Sequence, residues 1–150
     1  MLRRGASGGG ALRRVARVRW GSSLSTAAVA AYSCKHRAAG YDALRPDYPA
    51  ALIAAVAARL PREGTVVDLG AGAGRLTRAL MPAVAGRDVL AVEPSAAMRG
   101  AFSAEGVDCV DVSGDESLPV QDGHCAAVVC GESFHWMDNA ATLAYIHRAL

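Results

Sequence analysis

Val66-Val67-Asp68-Leu69-Gly70-Ala71-Gly72-Ala73-Gly74-Arg75 is the stretch that decides the fold. Two β-branched residues lead into an acid and a leucine, then a loop alternates glycine with alanine before a residue that can open a helix. Glycine lets the backbone turn sharply there and lets a ligand approach the main chain with no Cβ in the way. A plain strand-to-helix turn needs one such glycine; this loop has three. In a doubly wound sheet the loop lies in the crevice at the carboxyl ends of the strands, where nucleotide-like ligands bind.

The flanking text supplies the rest of the sheet. Leu52, Ile53, Val56 and Leu60 fall on one face at helical spacing, with Pro49 placed to open that helix and Pro61 to stop it. Thr65 to Val67 reads as a buried strand. A helix from about Arg75 carries Leu76 and Leu80 on one face, and Pro82 ends or kinks it. Val89 to Val92 is a second strand, Ser95 caps a helix reaching Ala104, and Val107 to Val112 is a third strand. Ala126 to Cys130 is the fourth, and Asp138 or Asn139 caps a last helix whose Leu143, Ile146 and Leu150 share a face. Strands alternating with helices predict an α/β fold: a doubly wound, mostly parallel Rossmann-like sheet with helices on both faces.

The spacing also selects the ligand. A dinucleotide fingerprint needs a third glycine three residues after Gly72, and Arg75 stands there. No Gly-Lys-Ser/Thr follows, so a phosphate-cradling P-loop is excluded as well. Asp68, just before the first glycine, suits a cationic group better than a pyrophosphate. Glu93 ends the second strand, where an acid can accept both hydroxyls of a ribose. A ligand with a ribose and a positive charge but no phosphate fits this set, and S-adenosylmethionine is such a ligand.

VVDLGAGAGRLTRAL followed by VLAVEPSAAM resembles the first two motifs of the class I S-adenosylmethionine-dependent methyltransferases, in particular the methyltransferase type 11 group. YDALRPDYP (Tyr41–Pro49) resembles the segment before the core in one branch, and SFHWMD (Ser133–Asp138) the stretch after its fourth strand. The resemblance implies that Asp68, Gly70 and Gly72 line the amino-acid end of S-adenosyl-L-methionine. Glu93 would hold the ribose hydroxyls, Pro94 and Met98 would lie beside the adenine, and Asp115 or Glu116 near its amino group. It also implies a strand order of third, second, first, fourth, and seven strands in the whole fold. Two positions depart from the pattern: Ala126 stands where the family has an Asp, and Tyr145 where it has a Glu.

Methyl transfer from a sulfonium leaves a neutral group behind, so the protein mainly aligns the acceptor and excludes water. A base helps only where the nucleophile must lose a proton. His135 follows the fourth strand at the carboxyl edge and is the candidate base or substrate-orienting donor, with Phe134 and Trp136 as a pocket wall. A structural Phe-His-Trp cluster is the alternative. Tyr41 and Arg45 are the candidate lid, Arg45 pairing with a carboxylate of cofactor or substrate or else tying its segment to an acidic surface. His124 reads as a solvated loop histidine.

Charge is divided along the chain. The net charge is +2, but residues 1–41 carry seven Arg and one Lys with no acid, whereas residues 42–150 carry eight Arg against fourteen acids. Residues 1–31, Arg-rich and acid-free, have the composition of an organelle transit peptide, mitochondrial first and plastid second. A solvated basic tail, leaving the protein cytoplasmic, is the alternative. Residues 32–150 form the methyltransferase-like domain. Residues 42–150 of it contain no Lys, so no nucleic-acid-binding face is expected. No apolar run reaches the ~18 residues of a membrane span, so no membrane partner is expected either. Cys34, Cys109, Cys125 and Cys130 form no CxxC pair and read as reduced thiols. Cys125 and Cys130, five apart in one strand, should point to opposite faces, which argues against a metal site with His124 and His135.

Four strands precede Leu150, so the sheet is expected to be truncated after the fourth, with that edge open to self-association. The reading is therefore methyl transfer from S-adenosylmethionine to a small-molecule acceptor. The alternatives are a non-catalytic remnant that binds cofactor or partner, and a nicotinamide-dependent oxidoreductase.

Overall fold

The computed structural model describes residue 40 and residues 45–110, 120–137 and 140–150. Residues 1–31, Tyr41, Asp115, Glu116 and the cap positions Asp138 and Asn139 lie outside the described residues.

Four parallel strands make one sheet: β1 (Thr65–Leu69), β2 (Val89–Val92), β3 (Asp108–Val110) and β4 (Cys125–Val129). Their order is β3-β2-β1-β4, so the most buried strand, β1, lies inside the sheet, as expected. The register sets Leu69 beside Val92 and Asp68 beside Val129, which aligns the carboxyl ends of β1, β2 and β4. Alternation along β1 sends Val66 and Asp68 to one face and Val67 and Leu69 to the other.

Both faces are covered, the mark of a doubly wound sheet. Helices α1 (Ala50–Ala57) and α2 (Arg75–Leu80) pack together on the Asp68 side, where Thr77 and Leu80 of α2 are fully buried. Pro49 precedes α1, its carbonyl accepting from the amides of Leu52 and Ile53. Pro82 lacks the amide that α2 would need, and the chain continues as a 3-10 turn over Met81–Val84. Helix α3 (Ala96–Ala101) has Ser95 as its cap, the hydroxyl accepting from the Met98 amide at 3.3 Å. It ends three residues before the predicted Ala104 because Phe102 turns to extended geometry and packs against Gly74. On the opposite face α4 (Ala140–Ala149) buries Tyr145 and Ala149 in a cluster with Val67, Leu69, Val92 and Met137.

Three sequence expectations need correction. Leu143 and Leu150 are half-exposed; the buried face of α4 is Thr142, Tyr145 and Ala149, two small residues bringing the helix close while one aromatic fills the space. Leu52 of α1 is likewise outside, with Ile53 buried. Finally, β4 starts one residue early, and its pairing with β1 shifts register between Thr65 and Val66, leaving Ala126 unpaired as a bulge. The extra residue breaks the simple alternation, so Cys125 and Cys130 border the same cluster instead of opposite faces.

Gly74 and Gly86 both have left-handed φ, 88° and 84°. A Cβ at Gly86 would meet nothing, whereas one at Gly74 would lie 2.8 Å from the Phe102 ring. Gly86→Ala should therefore cost only backbone strain, ~1 kcal/mol, and Gly74→Ala at least ~2 kcal/mol in urea unfolding. Equal losses would show that Phe102 does not brace the loop.

Candidate functional site

The loop after β1 is held from several sides. The amides of Gly70 and Ala71 both donate to the Val92 carbonyl, at 2.8 and 3.0 Å, and the Gly74 amide donates to Ala71. Arg78 reaches back from α2 to the Ala73 carbonyl (2.9 Å) and to Ser103 Oγ (2.6 Å). All three glycines have left-handed φ, but they do different things. Gly70 leaves room for Ser133 and Met137, whose atoms lie 2.5–2.9 Å from where its Cβ would be, and Gly74 leaves room for Phe102. Only at Gly72 does the missing side chain face open space.

Asp68 is fully buried beneath this loop. Thr77, in the first turns of α2, donates its hydroxyl to Asp68 Oδ2 at 2.6 Å; Oδ1 is buried with no hydrogen-bond partner. Burial raises the pKa of this carboxyl to about 6, more than the Thr77 hydrogen bonds lower it, and the Glu93 charge pushes it up further. A buried, half-satisfied carboxylate is costly unless something else meets it.

Glu93 is the second buried acid. Its Oε2 accepts from the Gly72 amide at 2.8 Å and its Oε1 from the Ser95 amide at 2.7 Å, so one side chain ties the end of β2 to the glycine loop. The carboxylate is thus fixed at the end of β2, beside the outward face of Gly72. Pro94 is partly buried beside it, and Met98 is buried under α3.

Beyond β1 on the other side, the turn after β4 is fixed by Ser133, whose hydroxyl donates to the Leu69 carbonyl at 2.6 Å. Glu132 in that turn has a left-handed φ of 56° and pairs with Arg45. Cys130 is raised to about 11 by burial and by the Asp68 charge, so it stays a thiol. His135 is exposed in the 3-10 turn Phe134–Trp136 and lies against Trp136, ring centroids 5.1 Å apart. Phe134 packs on the core cluster.

The strand order reverses between β1 and β4, which makes that gap the topological switch point of the sheet. Asp68, Gly70, Gly72, Glu93 and Arg45 converge on the carboxyl edge around it. A separate cavity of about 370 Å³ lies at the opposite, amino edge, lined by Thr65, Arg87, Asp88 and Asp108 among others. It lacks the glycine loop and both buried carboxylates. Thr77 and Ser133 escaped the sequence reading because each meets its partner only through tertiary packing. Tyr48 escaped it too, although it sits in the YDALRPDYP segment quoted above.

The residues present fit a cationic nucleoside: an orphaned buried carboxylate oxygen at one end, an open approach at Gly72, and Glu93 at the other end. Comparison with known proteins agrees. The methyltransferase domain family matches residues 67–150. An uncharacterized methyltransferase of Schizosaccharomyces pombe is 31% identical over 116 residues, which is 75% of this chain and 45% of the relative. An uncharacterized methyltransferase of Mycobacterium tuberculosis is 34% identical over 111 residues, 73% of this chain and 44% of the relative. The chain thus spans less than half the length of these curated relatives. In fold it is similar to a TehB-like SAM-dependent methyltransferase from Corynebacterium glutamicum, with a TM-score of 0.53 at 23% identity over 83% of this chain and 67% of that one.

The raised Asp68 pKa has a thermodynamic consequence. An acid whose pKa is higher folded than unfolded supports the fold fully below about pH 4, and that support is lost as pH rises through 6. The difference from 3.8 to about 6 corresponds to ~3 kcal/mol. Asp68→Asn should therefore gain ~2–3 kcal/mol relative to wild type between pH 4 and pH 7.5, followed by urea unfolding at each pH. A pH-independent gap would mean that Asp68 is not held in the way described.

Proposed function

The chain belongs to the class I S-adenosylmethionine-dependent methyltransferase domain family, and from that premise we propose that its crevice binds S-adenosyl-L-methionine for methyl transfer to a small-molecule acceptor. The observation that carries this is the pairing of Asp68 and Glu93, two buried carboxylates on either side of an open Gly72. Asp68 Oδ1 takes the ammonium of the amino-acid end, which satisfies the orphaned oxygen and favours its ionised form. Glu93 takes the ribose hydroxyls while keeping its hold on the Gly72 and Ser95 amides. Pro94 and Met98 border the adenine.

The bound cofactor supplies a methyl group on a positively charged sulfur, and its departure leaves a neutral thioether. The protein's part is to hold the acceptor in line and keep water out. Arg45 and Trp136 lie on the acceptor side, and His135 there serves as base or orienting donor where the acceptor must lose a proton. Nicotinamide dinucleotides are disfavoured because Arg75 occupies the third glycine position and nothing cradles a pyrophosphate.

Calorimetry tests this directly. S-adenosylmethionine and S-adenosylhomocysteine should bind more tightly than NAD, and Gly72→Val, which puts a branched side chain at φ 57° into the approach, should abolish binding. His135→Ala should leave cofactor affinity within ~1 kcal/mol. Tighter binding of NAD, or normal binding by Gly72→Val, would refute the assignment.

Residues 1–31 act, in this proposal, as an organelle-targeting leader. Fused to a fluorescent reporter they should direct it to mitochondria, and Arg13, Arg14, Arg17 and Arg19 changed to Gln should abolish import. A diffuse signal from the unaltered leader would refute the role.

A further inference from the structure

Arg45 to Pro49 crosses the carboxyl edge as a strap fixed on both sides of the crevice. On one side Arg45 pairs with Glu132 in the turn after β4. On the other, Arg75 at the start of α2 donates to the Arg45 carbonyl and stands 3.5 Å from Asp47. Between these ties Tyr48 lies over Gly131. A Cβ at Gly131 would collide with the Tyr48 hydroxyl and come within 3.2 Å of Cζ and 3.0 Å of Leu76. Gly131 has no left-handed φ to explain it. Its lack of a side chain is explained by the phenol.

Gly131 lies just past the end of β4, the strand that pairs with β1, so Tyr48 sits over the β1–β4 gap. The groups acting on the phenol are, after burial itself, Asp68, Arg45 and Arg75; burial and Asp68 push its pKa up, so the hydroxyl stays neutral. A neutral phenol both donates and accepts, which suits a group carrying an ammonium beside a carboxylate. The acids of both ion pairs are well exposed, so each pair by itself contributes little to holding the strap.

We propose that Tyr48 is a ligand-contacting residue whose hydroxyl hydrogen-bonds the α-amino-acid end of the sulfonium nucleoside, and that Gly131 is glycine to seat it. This rests on the cofactor reading above, and the test separates the two. S-adenosylhomocysteine carries the amino-acid end; 5′-methylthioadenosine lacks it. Calorimetry with both ligands on the full chain should show tighter binding of S-adenosylhomocysteine by wild type. Tyr48→Phe should weaken that binding about tenfold, the loss of one hydrogen bond, and change 5′-methylthioadenosine binding less than about twofold. Gly131→Ala, which displaces the phenol without removing it, should give the same selective loss. Equal weakening of both ligands would assign Tyr48 a purely structural role, and no weakening of either would remove it from the site; each overturns the proposal. Wild type binding neither ligand would overturn the cofactor reading and this inference with it.

Discussion

The chain leaves a largely buried strand at Leu69 and enters a helix at Arg75, and it makes that turn with Gly70, Gly72 and Gly74 all at left-handed φ. Everything else at the carboxyl edge is arranged around that turn. Val92 receives two of its amides, Glu93 a third, and Phe102, Ser133 and Arg78 fill the spaces beneath and beside it. The loop's conformation is thereby held by the protein's own hydrogen bonds and packing. Of the three glycines two serve the protein's own packing, and one faces outward.

The two buried acids divide the electrostatic labour. Glu93 accepts from two backbone amides and acts as a brace between β2 and the loop. Asp68 is left with a vacant oxygen and a pKa of about 6, a strained state that costs stability near neutral pH. Such a carboxyl is a poor structural element and a good receptor for a cation. The cost in stability and the proposed hold on a positively charged ligand have one origin, the burial of a carboxylate with only half its partners.

Much of this was legible in the residues. The α/β class, the strand sequence, the Ser95 cap and the break at Pro82 follow from local periodicity and backbone chemistry, which do not depend on tertiary context. The places of Asp68 and Glu93 at strand ends were legible for the same reason. What the text concealed is set by packing. Leu143 and Leu150 look like a core face, yet Thr142, Tyr145 and Ala149 face inward because a close helix–sheet contact favours small residues. The bulge at Ala126 cannot be seen in a run of apolar residues, and it reversed the expectation for the two cysteines. That Gly70 and Gly74 lack side chains to make room for Ser133 and Phe102 cannot be read from the loop alone. Thr77, Ser133 and Tyr48 gain meaning only from partners that the fold brings to them from distant positions. The places of Tyr41, Asp115 and Glu116 lie outside the described residues.

The Gly72–Glu93 crevice at the carboxyl edge is the proposed ligand site. Amide NMR spectra of the chain titrated with S-adenosylhomocysteine address it residue by residue. The largest shifts are expected at Gly70–Gly74 and at Glu93 and Ser95, with little change at Thr65, Asp88 and Asp108. Shifts concentrated at those three residues of the amino edge, or no shifts at saturating ligand, would contradict it.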